Sequence, residues 1–327
     1  MAQRAGVSLA TASRVINGGD QVRHETRERV ERAMRELLYI PPGRPGVSGA
    51  IGLFVPDLAN PIFPLLAAAM EKHATSVGLS TILCNTTGSP TRETEYVHML
   101  LERQVAGMIF ISSELGDLRA DHSHYRRLLA AGARLVFVNG ANDDLAVAAV
   151  GVDERAAGHL ATQHLIDLGH RRIAFVAGPD HYLPTLLKAA GRENALRAAG
   201  IDPAGLVEHS NFSVDGGRSS ARSLLARDNP PTGVICSNDL MAIGVMQEAE
   251  KVGLHIPDDV SVVGFDGIPA ATWTKPALTT IEQPVEKIAE TAITVLRTLI
   301  ADPERELPQF LFRPTLQVRG STAAARS

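Results

Sequence analysis

A chain of 327 residues, 45% hydrophobic, 21% charged and only 4% aromatic, is long enough for two or three cores and has the composition of a soluble globular protein. No apolar run reaches the roughly 18 residues of a membrane span, and no basic stretch followed by an apolar block opens the chain, so a cytoplasmic protein with no membrane partner is expected. The net charge of −4 is unevenly divided: residues 1–44 carry eight Arg against five Asp or Glu, a balance of +3 that leaves −7 for the rest, so only the head is expected to meet a polyanion.

The head reads A-G-V-S-L-A-T-A-S-R-V-I-N-G-G from Ala5. Gly6 ends a first helical turn, Ser8 is a good N-cap for a second helix from Leu9 to about Asn17, and Gly18 and Gly19 stop it. On that helix Ala12, Val15 and Ile16 share an inward face, while Ala10, Ser13, Arg14 and Asn17 recur on another at i, i+3, i+4 and i+7. This outer stripe is small, polar and cationic, and suits a duplex: Ser13 and Asn17 for phosphates, Arg14 for two bonds to a guanine edge. A third helix over 25–38, apolar at Val30, Met34, Leu37 and Leu38, closes a small core.

Positions 40–50 read I-P-P-G-R-P-G-V-S-G-A, a linker in which three prolines and three glycines leave no helical turn intact. Beyond it, strand-like runs at 51–55, 80–84, 107–111, 134–138, 172–176, 233–236 and 260–265 alternate with helical stretches such as 61–77, 155–168, 188–199 and 239–252. Alternation of this kind predicts parallel sheets covered by helices on both faces, and so many strands predict two stacked, doubly wound α/β subdomains rather than one sheet. Ligands collect beyond the carboxyl ends of such strands. Asp57, Asn60, Ile62, Phe63, Asp153, Ser237, Asn238, Asp239 and Asp266 stand there, with Lys188 one turn into a helix and Phe212 nearby. Amides and carboxylates beside aromatic faces suit a sugar. Asp239 reads first as a helix cap; Asn60 and Asp153 serve equally as caps or contacts, and Phe63 as core or stacking platform.

Cys84 and Cys236, both in apolar text, read as buried small hydrophobes. His164 and His170 have no third ligand at metal spacing, there is no phosphate-binding loop, and G-R-P-G-V-S-G precedes a strand instead of following one. No metal, cofactor or catalytic activity is expected.

The stretches A-G-V-S-L-A-T-A-S-R-V-I-N-G and T-R-E-R-V-E-R-A-M-R-E-L-L-Y-I-P resemble the helix-turn-helix DNA-binding head of the LacI/GalR family of bacterial repressors. I-G-L-F-V-P-D-L-A-N-P-I-F, H-L-I-D-L-G-H-R-R-I-A-F-V-A-G, S-N-D-L-M-A-I-G, V-S-V-V-G-F-D and P-A-L-T-T-I resemble its regulatory core, which shares its fold with periplasmic sugar-binding proteins. The resemblance implies base reading by Leu9, Ala10 and Arg14, and phosphate contacts from Ser8, Thr11, Ser13 and Asn17. It implies an effector cleft lined by Ile62, Phe63, Lys188, Phe212, Asn238 and Asp266, with Asp153 a further candidate and Lys188 where many members have arginine. It also implies a head at 1–40, a linker at 41–49, one subdomain from 50–168 with 284–310, and a second from 169–283 with 311–321, followed by a tail.

A homodimeric repressor follows, binding operator DNA under control of a small carbohydrate-like effector; the alternative is a cytoplasmic sugar-sensing protein of the same fold with little DNA binding. Three departures from the family stand out. Only four residues precede the Ala5-Gly6 step, so the true start is expected upstream with Met1 an internal codon. Arg23 stands where a serine usually caps the third helix, which leaves Thr26 to cap it a turn later. The linker is short and has no leucine, so no minor-groove wedge and little operator bending are expected, with Arg44 giving at most a phosphate or minor-groove contact. The tail after Arg319 has no leucine heptad, and no tetramerisation helix is expected.

Overall fold

The computed structural model of the chain describes residues 2–16, 22–36, 49–140 and 145–326. They form two compact units, divided between Gly49 and Ala50. The first contains α1 (Ala2–Ala5), α2 (Leu9–Ile16) and α3 (His24–Glu36). Gly6 turns the chain between α1 and α2 at φ +62°, a left-handed conformation that glycine adopts without the steric penalty of a side chain. Ser8 caps α2, its hydroxyl accepting the Thr11 amide at 3.1 Å. Ala5, Val15, Val30 and Ala33 are buried together. A four-residue helix is not stable alone, and here the Arg29 guanidinium donates to the carbonyls of Ala5 (2.7 Å) and Gly6 (3.0 Å).

The expected cap at Thr26 is not what forms. The Arg23 carbonyl accepts from both the Thr26 and Arg27 amides, so α3 starts at His24 and Thr26 stands within its first turn. Asn17, Gly18, Gly19, Leu37, Leu38 and the linker to Ser48 lie outside the described residues.

The second unit runs β1 (Ala50–Val55), α4 (Ile62–Ser76), β2 (Ser80–Asn85), α5 (Pro90–Glu102), β3 (Gly107–Ile111), α6 (Ser123–Ala130), β4 (Leu135–Val138) and β5 (Ala148–Val152). It continues with α7 (Glu154–Asp167), β6 (Ile173–Ala177), α8 (Leu183–Ala198), β7 (Val207–His209), α9 (Val214–Leu225), β8 (Gly233–Cys236), α10 (Asp239–Lys251) and β9 (Ser261–Asp266). β10 (Thr279–Glu282), α11 (Val285–Ala301), β11 (Phe310–Phe312) and β12 (Thr315–Gln317) complete it. Two six-stranded sheets result, ordered β11-β5-β4-β3-β1-β2 and β12-β10-β9-β8-β6-β7. All neighbours are parallel except β10 and β12.

The central strands β1, β3, β4, β6, β8 and β9 are buried nearly end to end, as parallel strands covered on both faces must be. In the first sheet, Phe54, Phe110 and Phe137 stack at 4.3 and 5.3 Å between centroids, with Tyr125 edge-on. Each such fully buried side chain contributes about 1.5–3 kcal/mol of apolar burial. The opposite face takes α4 and α11. In the second sheet, α7 and α8 cover one face and α9 and α10 the other.

Two of the expected chain crossings are displaced. Ala157, Ala161 and Leu165 of α7 share a core with Ile173, Phe175, Ile235 and Ile281 of the second sheet, so the chain crosses at Asp153 rather than at Leu168. β11 pairs with β5 in the first sheet and β12 with β10 in the second, which puts the last crossing at Arg313–Pro314 rather than at Phe310. An amphipathic pattern shows that a helix has an apolar face but not which sheet it covers. The remaining crossing falls between β10 and α11.

α7 and α8 approach closely. A Cβ at Gly158 would sit 2.1 Å from the Lys188 carbonyl oxygen, and one at Gly191 would sit 2.0 Å from that of Arg155. Backbone against backbone, the crossing sets the first turn of α7 beside the middle of α8. Among the described residues, no helix is long and apolar enough to cross a membrane.

Candidate functional site

The carboxyl ends of both sheets open onto one cleft of about 470 Å³, within the range of small-molecule sites, about 300–1,000 Å³. Of the expected effector residues it gathers Ile62, Phe63, Lys188, Phe212, Asn238 and Asp266. Ile62 and Phe63 stand on the first turn of α4, where the buried Asn60 accepts the Ile62 amide with its side-chain oxygen. Phe212 precedes α9 and meets Tyr182 edge-on at 6.3 Å. Asn238 caps α10, its side-chain oxygen accepting the Met241 amide at 2.8 Å, which leaves the side-chain amide free to donate.

Asp153 is not in the cleft. Its carboxylate accepts the Ala156 amide at 2.8 Å as the N-cap of α7, and its own amide donates to the Phe312 carbonyl at 2.8 Å, where the chain crosses between sheets. Asp239, read from the sequence as a cap, is not one: Asn238 has that role. Asp239 is fully buried and ties two segments of the second sheet, accepting the Ile268 amide at 2.8 Å and the Thr280 hydroxyl. Burial raises its carboxyl to about 7.

Asp266 ends β9 at φ +121°, a strained conformation for any residue but glycine. Its carboxylate accepts the Gln283 side-chain amide at 2.7 Å, and the Gln283 oxygen accepts from Asn139 at 2.9 Å. Asn139 follows β4 and Gln283 follows β10, so this chain of amides joins the two sheets at the floor of the cleft. Burial, and secondarily the charge of Asp239, hold the Asp266 carboxyl well above the usual range; Lys188 and Gln283 oppose this. Lys188 is itself buried, 2.5 Å from a carboxylate oxygen of Glu154 and 3.8 Å above the centre of the Phe265 ring. Burial pushes Glu154 upward, against the pull of the Lys188 ammonium.

Several lining residues carried no sequence signal: Glu93, Glu114, Glu154, Tyr182 and Gln283. Glu93 is buried on α5 and accepts the Tyr125 hydroxyl. Burial, then Glu93, raises the carboxyl of Glu114. One rim of the cleft is bridged: the Leu118 amide donates to the His181 carbonyl at 2.9 Å and Arg119 donates to Asp180 at 2.8 Å.

In the first unit, α2 presents Leu9, Ala10, Ser13 and Arg14 outward, with Leu9 83% exposed, while Ala12 and Val15 face the core. The hydroxyls of Ser8 and Thr11 lie 2.9 Å apart at its start. Helix-turn-helix units read DNA with the N-terminal residues of such a second helix.

A basic helix-turn-helix unit followed by two α/β halves around a polar, aromatic-lined cleft is the make-up of a DNA-binding head joined to a ligand-binding body. Residues 1–42 match the family described as bacterial regulatory proteins, lacI family, and residues 162–322 match a periplasmic binding protein-like domain. The HTH-type transcriptional regulator MalR of Streptomyces coelicolor is 39% identical over 99% of this chain and 96% of its own length. The lac repressor dimer bound to operator and the anti-inducer ONPF is similar in structure, with a TM-score of 0.83, 30% identity and coverage of 99% of this chain and 98% of that one. The transcriptional regulator CelR in complex with cellobiose gives a TM-score of 0.76 at 30% identity, covering 98% of each chain. The chain belongs to the lacI family of bacterial regulatory proteins and is a DNA-binding transcriptional regulator.

Proposed function

We propose that this regulator is a cytoplasmic, homodimeric repressor that acts by binding rather than by catalysis, and whose operator affinity is set by a carbohydrate-like effector in the cleft. The observation that carries the effector reading is the cleft's composition: the rings of Phe63 and Phe212 offer apolar faces, and Asn238 and Asp266 bring hydrogen-bonding groups to strand and helix ends around the same space, with Lys188 beside them. A sugar has one apolar face and a rim of hydroxyls, and meets both. The cellobiose held by CelR supports the ligand class, and the operator-bound lac repressor dimer supports the assembly.

Arg14 donates to a guanine edge in this reading, Leu9 and Ala10 make apolar contacts such as one to a thymine methyl, and Ser8, Thr11, Ser13 and Asn17 contact phosphate. Two heads then meet two half-sites of a near-palindrome. An effector bridging Phe63 on α4 of one half and Asp266 at the end of β9 in the other favours one arrangement of the halves. The resulting coupling to DNA affinity is about 1–3 kcal/mol. Operator selection from random duplexes, repeated with a panel of mono- and disaccharides, tests this. Enrichment of a palindromic site, with a sugar that shifts its retention, is the expected result. Sugar binding without duplex retention at moderate salt would replace the repressor with a sugar sensor.

A further inference from the structure

We propose that Glu154 masks the one cationic side chain lining the cleft among the described residues, and thereby restricts the effector to uncharged sugars, excluding phosphorylated and carboxylated ones. This rests on the carbohydrate reading above.

Five carboxylates line the cleft, Asp57, Glu93, Glu114, Glu154 and Asp266, against the single ammonium of Lys188. A phosphorylated or acidic sugar entering this space leaves water, which solvates an anion well, for a partly enclosed volume dominated by charges of its own sign. Its only cationic partner among the described lining residues would be Lys188, and Lys188 is already engaged. The ammonium sits 2.5 Å from Glu154, with both side chains 8% exposed, and lies over the Phe265 ring.

Turning Lys188 to an incoming anion would break that ion pair and leave the Glu154 carboxylate buried without a counter-ion, the costly half of a broken buried pair. The crossing of the two helices places the pair. The close approach of Gly158 to the Lys188 backbone fixes where the two helices cross, and so sets the backbone positions from which the two side chains meet. A neutral sugar asks for none of this: carboxylates and amides accept and donate to hydroxyls while the pair stays closed.

Matched probes test it. Calorimetric titration of the full chain compares cellobiose with cellobionate, ribose with ribose 5-phosphate, and glucose with glucose 6-phosphate, on the wild type and on Glu154→Gln. For whichever pair binds, the neutral member is expected to be at least about tenfold tighter on the wild type, and Glu154→Gln, which keeps the shape and frees the ammonium, is expected to narrow that gap by about tenfold. The double change Glu154→Gln with Lys188→Met removes the freed charge and restores the gap. A charged member that binds the wild type as tightly as its neutral counterpart overturns the inference, whether or not the variants fold. So does a gap that Glu154→Gln leaves unchanged. If no member of any pair binds, the carbohydrate reading itself falls, and this one with it.

Discussion

Asp239→Asn isolates one buried ionisation. Asp239 is 0% exposed and its carboxyl is raised from 3.8 to about 7, chiefly by burial. A carboxyl whose pKa is higher in the folded state binds its proton more tightly there, so its contribution to stability is greatest at low pH and is lost as pH rises from about 4 to about 7. At 1.36 kcal/mol per pKa unit, the full span is about 4 kcal/mol, of which about 2–3 kcal/mol falls between pH 5 and pH 8. Asparagine keeps the geometry: its oxygen still accepts the Ile268 amide, and its amide donates to Thr280, whose hydroxyl turns to suit. Loss of the charge also relieves Asp266, in the same direction. Urea unfolding of wild type and variant at both pH values is the assay. Relative to wild type, the variant is expected to gain about 2–3 kcal/mol from pH 5 to pH 8. A difference between the two proteins that stays constant with pH would refute the reasoning, because it would mean Asp239 titrates alike folded and unfolded.

Arg14→Ala is expected to abolish discrimination between operator and random duplex, by about 1–3 kcal/mol for a lost bidentate contact, while calorimetry still detects the effector; unchanged sequence preference in a competition gel shift would remove Arg14 from base reading. Asp266→Ala is expected to leave operator affinity intact and erase its response to every sugar tested, and a preserved response would take Asp266 out of the effector site. Gly191→Ala places a methyl about where the Arg155 carbonyl now sits, and should destabilise the body by about 1–3 kcal/mol in urea; an unaffected midpoint would mean that α7 and α8 can separate freely.

Much of this molecule is legible because its signals are local. The seven strand runs read from the sequence overlap β1, β2, β3, β4, β6, β8 and β9, for continuous apolar text between turns is what a doubly covered parallel strand requires. β5, β7, β10, β11 and β12 went unread. β7, β11 and β12 are three residues each, too short for periodicity, and β5 reads A-A-V-G-V, with little side chain to mark it. The head gave up its Gly6 turn and Ser8 cap for the same reason: each is written in one residue and its near neighbours.

The site was legible where it follows from position on one element and opaque where it depends on two. A polar residue at a strand end is a candidate by its place alone, which finds Asp266 and Asn238 but makes Asp153 and Asp239 look equivalent to them. What separates the four is which neighbour uses each side chain first: the α7 amides take Asp153, β10 and the Ile268 amide take Asp239, and Asp266 keeps part of its surface on the cleft. Glu154 shows the limit most sharply. It adjoins a residue that was singled out, yet its partner Lys188 is 34 positions away on another helix. Only the glycine-mediated crossing of α7 and α8 brings the two charges together, and with them the difference between a cleft that offers a cation to its ligand and one that withholds it.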